Sequence, residues 1–135
     1  MFFKYFKWAL LWAVLIFILL LMPDHNPDYT SWLGKFYLDK VIHTGLFFTQ
    51  SFFVLYGFIQ LDKLGKSKVM RSVTAFILAA LYGGILELMQ SKVSEGRSTD
   101  INDFVANAIG ALLGVVFYSF ALKLFERFVP LRLRK

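Results

Sequence analysis

The sequence has no cysteine, only two histidines and three prolines, and charged side chains make up just 18% of its 135 residues. The absence of cysteine excludes disulfide bonds, thiol chemistry and thiolate-bound metals. The scarcity of charge excludes an ordinary soluble domain, because a chain of this length could not bury so many apolar side chains in one core. We therefore expect a chain that folds within a membrane.

Apolar side chains are correspondingly abundant. Hydrophobic residues make up 58% and aromatic residues 19% of the sequence, and the mean hydropathy is +0.60, which is far more apolar than a typical soluble domain. Four apolar runs approach the roughly 20 residues that cross a bilayer as a helix; they cover about residues 5–22, 41–61, 71–90 and 103–125. The fold class that we predict is all-α: a polytopic membrane protein whose residues 1–135 form one domain, a four-transmembrane-helix bundle.

The first apolar run resembles a signal peptide only in part. It follows the basic residues Lys4 and Lys7, but no small-x-small cleavage site follows it and Pro23 ends it. We therefore predict a retained transmembrane helix. The next segment, residues 24–40, is rich in Tyr, Trp and Phe, which favours a loop with a short interfacial helix in the headgroup layer.

Basic and acidic residues fall on opposite sides of a four-span topology. The side that carries both termini would hold eleven of the 15 Lys and Arg residues, and the other side seven of the nine Asp and Glu residues. The positive-inside rule therefore predicts that both termini are cytoplasmic. The net charge of +6 accordingly predicts contact with membrane lipids and not with nucleic acid.

One polar stretch interrupts the apolar sequence, where the third run gives way to the fourth. Glu87 and Gln90 are three residues apart and share a helix face. Arg97 follows in the connecting loop as a cation able to hold a carboxylate or a phosphate through two hydrogen bonds. Asp100 or Thr99 is expected to cap the next helix. Because polar groups are costly near hydrocarbon, their clustering indicates a site.

The fourth run opens with a stripe of polar and small residues on one helix face. Its members recur at steps of three and four residues: Asp100, Asp103, Asn107, Gly110 and Gly114. Ala106, Gly110 and Gly114 form a small-residue ladder, which predicts close helix packing. For the two aspartates, capping of the helix explains their position as well as a binding role does.

Distant polar residues meet at one level of the bilayer in this topology. The second run begins on the same, extracytoplasmic side, where Asp39 and His43 are four residues apart and share a helix face. Glu87 and Asn107 lie deeper than the helix ends, which favours a site over a solvated surface. The candidate ligand-binding residues, in chain order, are Asp39, His43, Glu87, Gln90, Arg97, Asp100, Asp103 and Asn107.

Metal-binding and catalytic patterns are weak in this sequence. Suitable metal donors are His43, Glu87, Asp100 and Asp103. No H-E-x-x-H or comparable spacing connects them, so we predict neither a metal nor another cofactor. Loop serines would need His43 as a base to act as nucleophiles, and no nucleophile-elbow pattern surrounds them. His25 is expected to be solvated in the first loop.

Four motifs of this sequence resemble the VanZ-like family of small membrane proteins: Asp39-Lys40-x-x-His43, Glu87-x-x-Gln90, Arg97, and Asp100-x-x-Asp103-x-x-x-Asn107-x-x-Gly110-x-x-x-Gly114. The resemblance covers roughly residues 36–120. The family is named after a protein linked to resistance to teicoplanin, a lipoglycopeptide that binds cell-wall precursors. The resemblance implies a bacterial inner-membrane protein whose polar motif faces outward, and it leaves the molecular activity open.

We expect the candidate residues to form a polar pocket for an amphiphilic envelope ligand: a lipid-linked cell-wall precursor, a phospholipid or a lipoglycopeptide. Arg97 would engage an anionic group, and the resemblance adds a link to teicoplanin resistance as an association. An alternative is a membrane hydrolase or transferase in which His43 and Glu87 or Asp103 act as acid and base; a structural role is a third. We favour binding over catalysis. A transporter is the least favoured function, because four short helices would need to oligomerise to enclose a pathway. The sequence does not decide whether the chain forms a homo-oligomer.

Overall fold

The computed structural model describes residues 2–22, 32–61, 67–93, 100–118 and 120. Its four α-helices are α1 (Phe2–Leu21), α2 (Trp32–Gln60), α3 (Lys68–Val93) and α4 (Ile101–Val116). The described residues contain no strand, so the expected all-α fold is confirmed. Three helices contain segments long and apolar enough to cross a membrane: Phe3–Leu21, Leu38–Gln60 and Lys68–Lys92.

Helix α4 is the shortest of the four. Its 16 residues correspond to about 24 Å at 1.5 Å per residue, less than the roughly 30 Å of a hydrocarbon core. The predicted fourth span, about residues 103–125, reaches beyond the described residues. Asp100 is the N-cap residue of α4, which confirms one of the two predicted caps; the other, Thr99, lies outside the described residues.

Helix α2 begins much earlier than the apolar pattern predicts. It starts at Trp32, although the second run starts at about residue 41, so the described part of the expected interfacial segment continues directly into α2. No proline lies between Pro27 and the end of α2, and nothing in that part of the sequence therefore breaks the helix. Helix α3 likewise extends beyond the predicted residues 71–90 at both ends.

Helix α1 lies antiparallel to α2. Near the start of α1, the ring of Phe6 packs edge-on against that of Phe58, with ring centroids 5.1 Å apart. Further along α1, Trp12 Nε1 donates a hydrogen bond to the carbonyl oxygen of Leu46 at 3.0 Å. Contacts therefore move toward the start of α2 as α1 proceeds, which is the arrangement of two helices joined by a short connection.

Helix α3 lies parallel to α1. The Tyr82 hydroxyl donates to the carbonyl oxygen of Ala13 at 2.6 Å, and two turns later Gln90 Nε2 donates to that of Leu20 at 2.5 Å. Both acceptors are backbone carbonyls of α1, so these polar side chains of α3 join the two helices within an apolar bundle.

Helix α4 runs parallel to α2 in close backbone contact. Gly110 faces the carbonyl of Thr44, and Gly114 faces the carbonyl of Phe48, so closely that a Cβ atom on either glycine would overlap α2. One turn above Gly110, the carbonyl of Ala106 accepts a hydrogen bond from the Thr44 hydroxyl at 3.4 Å. The predicted small-residue ladder thus lies at the contact between α2 and α4.

Apolar side chains fill the bundle and also cover its outside. One buried cluster comprises Phe6, Ala9, Val54, Leu55, Ala75 and Tyr118. A second cluster comprises Ile16, Leu20, Phe47 and Leu86. Large apolar residues are exposed along all four helices, among them Leu11, Leu81, Leu88 and Leu112. An outer surface this apolar is suited to lipid and not to water.

Replacing Gly110 by alanine is expected to destabilise the fold. The added Cβ would overlap the Thr44 carbonyl, and overpacking of this kind costs about 1–3 kcal/mol. The matched control is Gly45→Ala, because no described atom outside the adjoining backbone of α2 lies within 4 Å of the Cβ position of Gly45, and alanine there should stabilise α2 by up to about 1 kcal/mol. Thermal unfolding in detergent measures both variants, and equal stabilities would contradict the close contact.

Candidate functional site

Buried polar side chains gather where α4 begins and α3 ends, beside residues 39–43 of α2. His43 and Asn107 are each 1% exposed, Glu87 is 4% exposed and Asp103 is 5% exposed. Three half-buried charged residues lie beside them. We call the whole group the polar cluster; its members are Asp39, Lys40, His43, Glu87, Asp100, Asp103 and Asn107.

The parallel packing of α2 and α4 brings the polar cluster together. Lys40 and His43 are three residues apart on α2, and Asp103 and Asn107 are four apart on α4, so each pair shares a helix face. Because the helices touch at Gly110, residues 40–43 of α2 run beside the first turns of α4. Lys40 therefore meets Asp103, and His43 meets Asn107.

Lys40 supplies a cation to the polar cluster. Its Nζ lies 2.9 Å from Asp100 Oδ2 and 3.5 Å from Asp39 Oδ2, and it forms a further ion pair with Asp103 Oδ1. The side chain of Lys40 is 17% exposed and that of Asp103 is 7% exposed, so this pair is attracted more strongly than a pair in water would be. One ammonium group thus joins Asp39 of α2 to two carboxylates at the start of α4, those of Asp100 and Asp103.

Asp100 connects the polar cluster to the first turn of α4. Its Oδ1 accepts hydrogen bonds from the backbone N–H and the side-chain amide of Asn102, both at 2.8 Å. The hydrogen bond from Lys40 is the main cause that lowers the pKa of Asp100 from its ordinary value; the bonds from Asn102 act in the same direction, and partial burial opposes them. Asp100 is therefore ionised throughout the neutral range.

Glu87 reaches from the end of α3 to the start of α4. Its Oε1 accepts a hydrogen bond from the backbone N–H of Asp100 at 2.8 Å, the N–H group that a glutamate on the same helix binds in a capping box. Its Oε2 is buried and has no hydrogen-bond partner among the residues that the structure describes. Because a buried acceptor without a partner costs free energy, Oε2 is suited to bind a donor from a ligand.

His43 and Asn107 form the deepest polar contact of the cluster. His43 Nδ1 lies 2.8 Å from Asn107 Oδ1. Because an amide oxygen only accepts hydrogen bonds, Nδ1 is the N–H donor in this contact. The other ring nitrogen, Nε2, lies 3.9 Å from Asp39 Oδ1. Asn107 Nδ2 is buried without a hydrogen-bond partner in the described part of the chain, and Gly83 of α3 lies against the Asn107 side chain.

The structure separates one of the eight sequence candidates from the polar cluster, and a second lies outside the described residues. Gln90 is buried, but its amide binds the Leu20 carbonyl of α1 and not the polar cluster. Arg97 lies outside the described residues, as does His25. The remaining six belong to the cluster: Asp39, His43, Glu87, Asp100, Asp103 and Asn107.

Sequence reasoning missed Lys40 as a member of the site. The signal was present, because Lys40 is three residues before His43 and therefore on the same helix face. It belongs to the first of the motifs that resemble the VanZ-like family, but it is not among the candidate ligand-binding residues predicted from the sequence. Its role as a counter-ion depends on the register between α2 and α4, which cannot be predicted from residue spacing within one helix.

Three members of the polar cluster could hold a metal ion. One donor atom from each of Asp39, His43 and Asp103 lies within 4.8 Å of the others, and a nitrogen with two oxygens is a donor set that zinc accepts. Lys40 is paired with two of these carboxylates, so a metal ion would have to displace its ammonium group. This set shares His43 and Asp103 with the donors that the sequence offered.

A groove between α3 and α4 adjoins the polar cluster. Its volume is about 650 Å³, and its lining is apolar apart from Glu87. The apolar lining includes Phe76, Ala80, Leu81 and Ile85 of α3. Of the candidate residues that the structure describes, only Glu87 lines this groove. The expected polar pocket is thus a polar cluster beside an apolar groove, joined by one carboxyl group.

Comparison with known proteins gives one finding that covers most of the chain. The family model described as VanZ/LLP1 matches residues 5–123. This range contains α2, α3 and α4 in full, together with every residue of the polar cluster. No curated protein and no solved structure matches the chain.

Lys40→Met is expected to destabilise the fold by about 1–4 kcal/mol, because it leaves the buried Asp103 beside Asp100 without the ammonium group. Adding Asp103→Asn should recover part of the loss, since it removes the unpaired charge. Lys92→Met, an exposed position at the end of α3, is the control and should change stability by less than about 0.5 kcal/mol. Unfolding in detergent measures all three; equal effects of the two lysine variants would contradict this role of Lys40.

Stability should decrease in acid through Asp100. Since Lys40 lowers the pKa of Asp100 in the fold, ionised Asp100 stabilises the fold above its unfolded pKa of about 3.9, and this contribution is lost as the pH falls through the lower, folded pKa. Asp100→Asn keeps a good capping residue that does not titrate. The stability difference between the two proteins should be constant above about pH 5 and shrink below about pH 4. A difference that is the same at every pH would refute this role of Asp100.

Proposed function

The chain belongs to the VanZ/LLP1 family, and from that premise we propose that it is a bacterial inner-membrane protein that binds an amphiphilic envelope ligand at the polar cluster. In this proposal four helices cross the membrane, both termini are cytoplasmic, and the cluster lies on the extracytoplasmic side. The alternating directions of the helices support this topology, since α1 and α3 run one way and α2 and α4 the other.

The observation that carries the proposal is an open acceptor near an open donor. Glu87 Oε2 and Asn107 Nδ2 are both buried, and both lack a hydrogen-bond partner among the described residues. Gly83, one turn from Glu87 on α3, lies against the Asn107 side chain, so the two open groups belong to neighbouring turns of the α3–α4 contact. Hydroxyl and amide groups, which sugars and peptides carry, can donate and accept and would satisfy both.

A cation is the further requirement for a lipid-linked ligand, because such ligands carry phosphate. Lys40 is already paired with Asp100 and Asp103. Arg97 is therefore the residue that we propose for the anionic group, as the sequence predicts, since its guanidinium can hold a phosphate through two hydrogen bonds. It lies three residues before Asp100 in the sequence.

Three envelope amphiphiles have the chemistry that this site would bind: a lipid-linked cell-wall precursor, a phospholipid and a lipoglycopeptide such as teicoplanin. Each combines hydrocarbon with hydroxyl, amide or phosphate groups. Binding of a precursor or of the antibiotic would change susceptibility to glycopeptides by masking or sequestering the target. The resistance role is part of the proposal and comes from the protein after which the family is named.

A membrane hydrolase or transferase is the second candidate function. The observation in its favour is that donor atoms of His43 and Asp103 lie within 4.8 Å of each other, near enough for an acid–base pair once a substrate is bound. Because His43 Nδ1 is bound to Asn107, Nε2 is the nitrogen that would accept a proton. Loss of product formation in His43→Ala would support this function over binding alone.

Binding of labelled lipid-linked precursor to purified protein in lipid nanodiscs tests the proposal. Glu87→Gln and Arg97→Ala should each weaken binding by about tenfold or more, because each removes a charged hydrogen-bonding group, worth about 1.5–3 kcal/mol. Asn107→Ala should weaken binding through the loss of its donor.

The control variant is Gln60→Ala, which removes an exposed polar side chain at the opposite end of α2 and should bind like the wild type. Circular dichroism and gel filtration establish that each variant is folded. Equal affinity in the wild type and all four variants would overturn the proposed function. A panel of phospholipids and teicoplanin, measured in the same way, distinguishes the three candidate ligands.

A further inference from the structure

We propose that the α3–α4 groove holds the hydrocarbon chain of a membrane lipid whose headgroup carries a primary ammonium group. This assignment rests on the proposed function and names the class of ligand at the same site. It follows from the lining of the groove, from the surface on which the groove opens, and from Glu87.

The lining of the groove is suited to hydrocarbon. Ala80 and Gly84 lie one turn apart on α3, and their small size leaves a depression that Phe76 and Phe104 also line. The Phe104 ring rests against Gly84, where a Cβ atom would lie 3.2 Å from it. Along α3, the distance from Phe76 to Glu87 is about 16 Å at 1.5 Å per residue. Half of a bilayer core is about 15 Å thick, so the groove is as long as one leaflet is deep.

The groove opens on the lipid-facing surface. Leu81, Ile85 and Leu88 line it and are 60%, 54% and 59% exposed. Surface of this kind is covered by lipid chains in a membrane. A lipid chain can therefore enter sideways from the bilayer, without leaving the hydrocarbon core.

Glu87 distinguishes this groove from the rest of the lipid-facing surface. The residue is 4% exposed and is part of the groove lining, and its Oε2 has no hydrogen-bond partner in the described part of the chain. A hydrocarbon chain alone would leave this oxygen without a donor, which costs about 1–3 kcal/mol. A lipid with a donor at its polar end would supply the missing bond.

The charges of the polar cluster favour a cationic donor. Its carboxyl groups belong to Asp39, Glu87, Asp100 and Asp103, and among the described residues Lys40 alone provides an ammonium group to them. A primary ammonium adds positive charge and three N–H donors. A choline headgroup has the same charge but no N–H, so the choice between the two depends on the hydrogen bond to Glu87.

Two photoactivatable lipids that differ only in the headgroup test the assignment. Phosphatidylethanolamine and phosphatidylcholine, with the same diazirine-bearing acyl chain, are incorporated into nanodiscs with the full chain, and labelled peptides are mapped by mass spectrometry. The ethanolamine lipid should label residues 76–88 at least about fivefold more than the choline lipid does. Equal labelling by both lipids, or labelling spread evenly over all helices, would overturn the assignment.

Substitutions in the groove give the matched comparison. Ala80→Trp should fill the groove and abolish labelling there, whereas Ala108→Trp, on α4 outside the groove lining, should not. Glu87→Gln should retain labelling of the groove but lose the preference for the ethanolamine lipid. Ile85→Trp, at the exposed mouth of the groove, serves if Ala80→Trp yields little folded protein. Labelling of either tryptophan variant like that of the wild type would refute the groove as the chain site.

The precursor-binding assay separates failure of the groove from failure of the proposed function. If Ala80→Trp is labelled and binds precursor like the wild type, while Glu87→Gln and Arg97→Ala bind weakly, the groove assignment is wrong and the proposed function stands. If none of these variants changes lipid labelling or precursor binding, both are wrong.

Discussion

The close approach of α2 to α4 is the contact on which the rest of the structure depends. Because Gly110 and Gly114 have no side chains, the two parallel backbones lie close enough for the preceding turns to touch as well. His43 meets Asn107 in those turns, and the ion pairs of Lys40 follow one turn further out. Any side chain that separated the helices at the glycines would also separate these polar pairs. Packing inside the bundle therefore determines the geometry of the site.

Part of the polar cluster holds the start of α4 in place, and part of it is left open. Lys40 binds Asp100 and Asp103, and Glu87 Oε1 accepts a hydrogen bond from the N–H group of the N-cap residue Asp100, so these contacts have a structural role. Glu87 Oε2 and Asn107 Nδ2, by contrast, have no hydrogen-bond partner among the described residues. Buried polar atoms are rarely unpaired in folded proteins, and these two are the atoms on which the proposed binding function rests.

Helices and helix faces could be predicted from this sequence, whereas the partners of individual side chains could not. A period of 3.6 residues correctly puts Glu87 and Gln90 on one inward side of α3. Yet Gln90 binds the Leu20 carbonyl of α1 while Glu87 turns to α4, since a small rotation decides between two neighbouring helices. Lys40 shows the same limit: a count of charges predicts its side of the membrane, but its pairing with Asp103 depends on the register between helices.

Glu87 belongs both to the polar cluster and to the groove lining, and in the proposed assignment this position would allow it to select the ligand. Its Oε1 is held by the N–H of Asp100, so the direction of Oε2 is set before a ligand arrives and no side-chain entropy is lost on binding. Because Oε2 is already buried without a partner among the described residues, a lipid without a donor that filled the groove would leave the cost of this unpaired acceptor in place. In the proposed assignment, discrimination would therefore come from the hydrogen bond that only a lipid with a donor can supply.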